Sequence, residues 1–253
     1  MRCLLVGCEV LLRELADAIA RSPHTIDVEF LPKGLHDLGG ARMRPALQAA
    51  VDHADPACHE AVLMGYALCG NGLHGLEARR VTLVAPRAHD CIALLMGSRQ
   101  RYDAYFHSHE GVYFRSTGWL ERGRDIEQLA RDAGTDFTLA DLIAKYGEDN
   151  GRYLYDELRR YERSYRQLTF IETGLESDGR FEQQARAEAA EKNWHFEKIR
   201  GDLSLFRKLV GGEWDPADFL VVEPGGRIVA SYDEGIIKAE RIGCEEETHV
   251  RRD

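Results

Sequence analysis

No hydrophobic run in this 253-residue chain approaches the roughly 20 residues that a helix needs to cross a bilayer. The longest apolar stretches, Ala61–Leu68 and Ile92–Met96, fall far short. The start of the chain runs straight into an apolar strand pattern, with no basic and then apolar leader, so a cytoplasmic location is expected. Positive charge is also in deficit: 33 Lys and Arg against 43 Asp and Glu leave a formal charge of -10. That balance disfavours a sequence-independent hold on nucleic acid, which needs cations to neutralise phosphates; the pairs Arg79–Arg80 and Arg159–Arg160 read as solvated faces. No Gly-x-Gly-x-x-Gly follows the first strand and no Walker A sequence occurs, so nothing supports a nicotinamide or nucleoside triphosphate enzyme. Six cysteines are too few for a disulfide-stapled scaffold of this length. They read as thiols or metal ligands.

What is present is an alternation of short apolar strands and amphipathic helices. Arg2–Val6 reads as a strand, and Glu9–Ala20 places Leu11, Leu12, Leu15 and Ile19 at helical spacing. Thr25–Leu31 alternates as a strand ended by Pro32, and Arg42–His53 repeats the helical pattern through Met43, Leu47 and Val51. Ala61–Leu68 and Val81–Ala85 are further buried strands, and one helix is expected from near Asp90 through Gln100 to Tyr105. His107–Gly123 lacks clean periodicity and reads as a loop or hairpin. Thr138–Tyr165 is a polar helical block. Strands Gln167–Thr173, Trp194–Ile199 and Phe219–Glu223 then alternate with helices Arg180–Lys192 and Asp202–Val210, the last with Asp202 as N-cap and Gly211 at C′. The expected fold is α/β, with two Rossmann-like parallel-sheet halves, 1–125 and 166–253, facing a central cleft across a helical connector at 126–165.

In such sheets, sites lie beyond the carboxyl ends of the strands. Cys8, Cys69 and Cys91 all fall at predicted strand ends and are expected to converge as metal ligands. A lone cysteine often packs as a small hydrophobe, but three beside turn glycines or a helix start form a pattern. A helix opening near Asp90 is expected to aim its N–H groups at Cys91 and favour the thiolate. Three thiolates suit a [4Fe–4S] cluster with one iron left open. The alternative is Zn2+, with His89 completing a tetrahedral set. His89 and Glu9 are the candidate proton carriers, and Gly70, Asn71, Gly72 and Arg87 are candidates for binding a cofactor or substrate. Tyr66 and Trp119 are candidate cleft residues or core. His24 and His36 read first as loop caps, and Pro224-Gly225-Gly226 as a turn. Cys3 is expected in the core, and no role attaches to Cys58 or Cys244.

Five stretches carry a family resemblance: Gly7-Cys8-Glu9-Val10, Ser22-Pro23-His24, Leu31-Pro32-Lys33-Gly34-Leu35-His36-Asp37, Gly65-Tyr66-Ala67-Leu68-Cys69-Gly70-Asn71-Gly72-Leu73 and Pro86-Arg87-Ala88-His89-Asp90-Cys91-Ile92. Together they resemble the DUF1638 family of bacterial and archaeal proteins, most strongly over residues 1–120. The resemblance implies a setting in methyl or one-carbon metabolism, beside a corrinoid-dependent methyltransferase as partner. It carries over by position to Cys8, Cys69, His89 and Cys91. The plan is also similar to quinolinate synthase and the diphthamide enzymes, which present three cysteines from separate strand ends to a cluster; such likeness speaks to architecture only. The expected function is therefore a metal-dependent lyase or transferase acting on a small polar or sulfur-containing molecule. A zinc-thiolate methyltransferase and a metal or cofactor carrier are the alternatives.

Overall fold

The computed structural model describes residues 1–35, 40–122, 139–158, 164–231 and 233–243. Strand β1 (Arg2–Cys8) passes through a 3-10 turn at Glu9–Leu11 into helix α1 (Leu12–Ala20), followed by β2 (Thr25–Leu31) and α2 (Gly40–Asp52). Next come β3 (Ala61–Gly65), β4 (Glu77–Ala78), β5 (Thr82–Pro86), α3 (Cys91–Met96) and α4 (Arg99–Ser108). The middle of the chain supplies β6 (Val112–Ser116), α5 (Thr117–Glu121), α6 (Leu139–Tyr146), α7 (Glu148–Leu158), β7 (Gln167–Glu172), α8 (Arg180–Glu191) and β8 (His195–Arg200). Helix α9 (Ser204–Gly211) and strands β9 (Phe219–Val222), β10 (Gly226–Ala230) and β11 (Ile237–Arg241) complete it.

The larger sheet has the order β2-β1-β3-β5-β9. Its first four strands are parallel, and β9 lies antiparallel to β5. Burial on both faces explains why its central strands are continuous apolar runs: every residue of β3 is buried, as are Cys3–Gly7 of β1. Leu11, Leu15 and Ala18 cover one face, and Met43, Leu47, Ala50 and Val51 pack from α2. A second, parallel sheet of order β6-β7-β8 has a small core of its own around Leu168, Phe170, Phe181, Ala185 and Ala189. A third, antiparallel sheet joins β11, β10 and β4.

The parallel α/β character matches the expectation, but sheet membership does not divide at residue 166. Strands β9 and β10, from the last quarter of the chain, pair with β5 and β4 from the first half, and β11 joins through β10. An apolar run such as Phe219–Val222 announces a strand but not which edge it joins. The single helix expected from Asp90 to Tyr105 is two. Gly97 closes α3 in the left-handed conformation, with φ 75°, and Ser98 caps α4 by accepting from the Arg101 N–H. The expected loop at 107–123 instead holds the end of α4, all of β6, and α5, because Val112–Ser116 finds a parallel partner in β7. The left-handed closure after α9 falls at Gly212, not Gly211. Within the helical block, residues 138 and 159–163 lie outside the described residues, as do His36 and Cys244.

One close approach ties the second sheet to the first. A Cβ built on Gly118 in α5 would lie 1.7 Å from the Val10 carbonyl oxygen, so the helix backbone rests directly on the turn that follows Cys8. Only glycine fits there.

Candidate functional site

The chain leaves β1 for β2 on one side and then crosses to β3 on the other, so the strand order reverses between β1 and β3. In open α/β sheets the crevice beyond the carboxyl ends at such a switch is where ligands bind. Cys8 ends β1 at this point. Beyond β3, two backbone hydrogen bonds tie the chain to the segment that follows β5: the Leu68 N–H donates to the Ala88 carbonyl at 3.0 Å and the Cys69 N–H to the His89 carbonyl at 2.9 Å. These bonds hold Cys69 alongside the start of α3, whose first residue is Cys91.

The backbone turns away through three consecutive left-handed residues, Cys69, Gly70 and Asn71, with φ of 43°, 62° and 68°. Two of them carry side chains, and such conformations cost about 1–3 kcal/mol each when not supplied by glycine. Helix α2 closes over this turn, bringing Gly40 onto the Gly70 and Asn71 carbonyls and Met43 onto Gly72.

Cys8, Cys69 and Cys91 together line one cavity of about 20 Å3, with Val10, Leu11, Pro32, Lys33, Met43, Tyr66, Ala67 and Trp119 as the remaining walls. All three are free thiols. Burial pushes the Cys8 thiol up to about 11 and the Cys69 thiol up to about 12. Cys91 is raised well above its ordinary value, first by burial and then by Cys69 and Asp90. The expectation of a thiolate favoured by the helix start is thus reversed. Asp90 accepts from the Ile92 and Ala93 N–H groups and from the Tyr102 hydroxyl at 2.9 Å, so the helix terminus is already satisfied by a carboxylate.

Three polar groups face the thiols. The Trp119 indole N–H donates to Cys91 Sγ at 3.3 Å. Lys33 is 4 % exposed; its ammonium donates to the Trp119 carbonyl at 3.2 Å, sits 4.3 Å from the Trp119 ring centroid, and draws the Cys8 thiol downward by its charge. Tyr66 is 3 % exposed, and its hydroxyl stands close enough to Cys8 for each to perturb the other's ionisation. It nevertheless makes no hydrogen bond of acceptable geometry among the described residues.

The other sequence candidates lie apart from this cavity. Glu9 accepts from the Lys33 backbone N–H at 2.8 Å and approaches Arg122 at 3.8 Å, behind the wall. Arg87 donates to the carbonyls of Pro216, Gly235 and Ile237, stitching the C-terminal strands to β5. His89 is exposed in a separate hollow with Arg99, Gln100 and Asp103, so no Cys3His set is assembled. Gly70 and Asn71 are exposed on the turn, Gly72 is buried under Met43, and His24 lies by the chain N-terminus. Cys3 is in the core, and Cys58 donates to Asp55 at the surface. Sequence reasoning assigned no role to Lys33. Its signal was a lysine directly after the proline that ends a strand, in an acidic chain.

Fold and site together define an α/β protein with a three-thiol pocket at the switch point of its parallel sheet. A family model described as a protein of unknown function, DUF1638, matches residues 30–210, and the chain belongs to that family. Cys69 and Cys91 fall inside the matched span and Cys8 precedes it. No curated protein and no solved structure matches the chain.

Proposed function

We propose that this chain is a metalloprotein that holds a [4Fe–4S] cluster on Cys8, Cys69 and Cys91, leaving one position open to a small polar or sulfur-containing substrate. The observation that carries the reading is the arrival of three free thiols, from the end of β1, the turn beyond β3 and the start of α3, on one apolar cavity at the sheet's switch point. Three buried thiols repel one another as thiolates and ionise only with a cation among them, which a thiophilic metal supplies. Among the described residues no three His, Cys, Asp or Glu side chains are grouped to hold a single ion. Three sulfur donors on one cavity, with no imidazole lining it, are the donor type that an iron–sulfur cluster takes. The present cavity admits a water-sized body, so loading is expected to spread its walls.

A cluster bound by three cysteines supplies Lewis acidity at an open iron. The chain's own groups do the rest. Trp119 donates to the Cys91 sulfur, Lys33 offsets negative charge near Cys8, and the Tyr66 hydroxyl is a buried donor awaiting an acceptor on the bound molecule. His89 faces another hollow, and burial holds the Tyr66 hydroxyl far above its ordinary value, so Tyr66 serves here as a hydrogen-bond donor and not as a proton carrier. Single Cys8→Ala, Cys69→Ala and Cys91→Ala variants, purified without oxygen and assayed for iron and sulfide, are expected to lose the metal. Cys3→Ala and Cys58→Ala are expected to keep it. Unchanged metal in the Cys69→Ala variant would sink the assignment.

A further inference from the structure

A second hollow, of about 720 Å3, opens between α2, the turn at His74–Gly75 and strands β4, β10 and β11. Four cations line it, Arg44, Arg79, Arg227 and Lys238, against two carboxylates, Glu77 and Glu240. This excess of positive charge stands out in a chain of formal charge -10.

Most of these groups are held in place. Arg79 is clamped by Asp52 at 2.7 Å and Glu77 at 2.8 Å, and Arg227 donates to Glu240 at 2.7 Å. Arg44 lies across Gly75, where a Cβ would sit 2.9 Å from its Nη1. The His74 Nδ1 accepts from the Ala230 N–H at 3.0 Å, which leaves the proton of the neutral ring on Nε2 as a donor. Among the described residues neither Arg44 nor Lys238 has an ion pair. Pro45, Val229 and Ala230 add an apolar portion.

We infer that this hollow is a binding site for a small molecule carrying a phosphate or diphosphate group. Two unpaired cations and a fixed imidazole donor match the charge and acceptor number of such a group, with the arginine fork suited to its oxygens. The volume lies within the range of small-molecule sites, and the apolar portion accommodates the uncharged remainder of the ligand. A long polyanion is disfavoured by the chain's formal charge of -10. The site is independent of the thiol pocket in its lining residues, although α2 contributes to both.

The test is calorimetric titration of the full chain at low ionic strength with inorganic pyrophosphate, and separately with a short single-stranded RNA. The wild type is expected to bind one pyrophosphate saturably. Arg44→Glu/Lys238→Glu should weaken it at least tenfold, and the neutral pair Arg44→Gln/Lys238→Gln, a check against misfolding of the charge-reversed pair, should weaken it less. Arg152→Glu, on the exposed face of α7, should leave it unchanged. The inference is overturned if the wild type shows no saturable binding, if the double variants bind like wild type, if Arg152→Glu weakens binding equally, or if the RNA binds more tightly than pyrophosphate.

Discussion

Replacing Tyr66 by Phe removes one oxygen from the interior and leaves the ring packing intact. The hydroxyl is buried, 3 % exposed, and has no hydrogen bond of acceptable geometry among the described residues. A buried donor without a partner costs about 1–3 kcal/mol, so the metal-free Tyr66→Phe protein should be more stable than wild type by about that amount. For a chain of this length each kcal/mol moves the melting temperature by roughly 2–4 °C. Differential scanning calorimetry of the metal-free pair should therefore show the variant melting several degrees higher. Loading the pocket changes the sign, because a bound molecule with an acceptor atom gives the wild-type hydroxyl its partner and the variant nothing. The loaded variant should gain less from the ligand than the loaded wild type gains. If Tyr66→Phe destabilises the metal-free protein, the hydroxyl already has a partner, and its part in the site collapses.

Two further predictions test the surroundings of the pocket. Glu14 is 1 % exposed, with Oε1 accepting from Thr173 and Oε2 without a partner among the described residues; burial, with Glu176 nearby, pushes its carboxyl up to about 7. A folded-state value above the unfolded one means that its contribution is full below about pH 4.5 and is lost as pH rises through about 7. Glu14→Gln should therefore stabilise the protein at pH 8, by roughly 1–3 kcal/mol, and have little effect at pH 4.5; melting curves that stay parallel across that range would refute it. Gly118→Ala places a methyl group where the Val10 carbonyl already stands, 1.7 Å away. It should cost about 1–3 kcal/mol or more and alter Trp119 fluorescence, whereas an unchanged melting temperature and emission spectrum would mean that α5 does not rest on the Cys8 turn.

Much of this architecture is legible in the residues, for physical reasons that also mark where legibility stops. Cys3–Gly7 and Ala61–Gly65 are buried on both faces, so their apolar runs announce central parallel strands without ambiguity. A cysteine at the end of such a strand can be placed on one edge of the sheet before any coordinates exist, and the shared cavity of Cys8, Cys69 and Cys91 follows from that placement. Partner choice is different in kind. Phe219–Val222 looks the same whether it extends a second sheet or borders β5, because only the long-range pairing decides. Side-chain direction is equally hidden: His89 and Cys91 are two residues apart, yet one is exposed in its own hollow and the other lines the thiol pocket. The ionisation of Cys91 is not legible either, because burial outweighs a helix start whose N–H groups Asp90 already satisfies. Lys33 is hidden from the sequence because a lysine is ordinarily exposed, and only its packing on Trp119 makes it part of the pocket.

The most direct test of the account is the colour and metal content of the wild-type protein purified without oxygen. A brown protein with about four irons per chain is the predicted result. A colourless protein with about one zinc, or with no metal at all, would contradict the three-cysteine cluster and return Cys8, Cys69 and Cys91 either to a zinc site or to the apolar core.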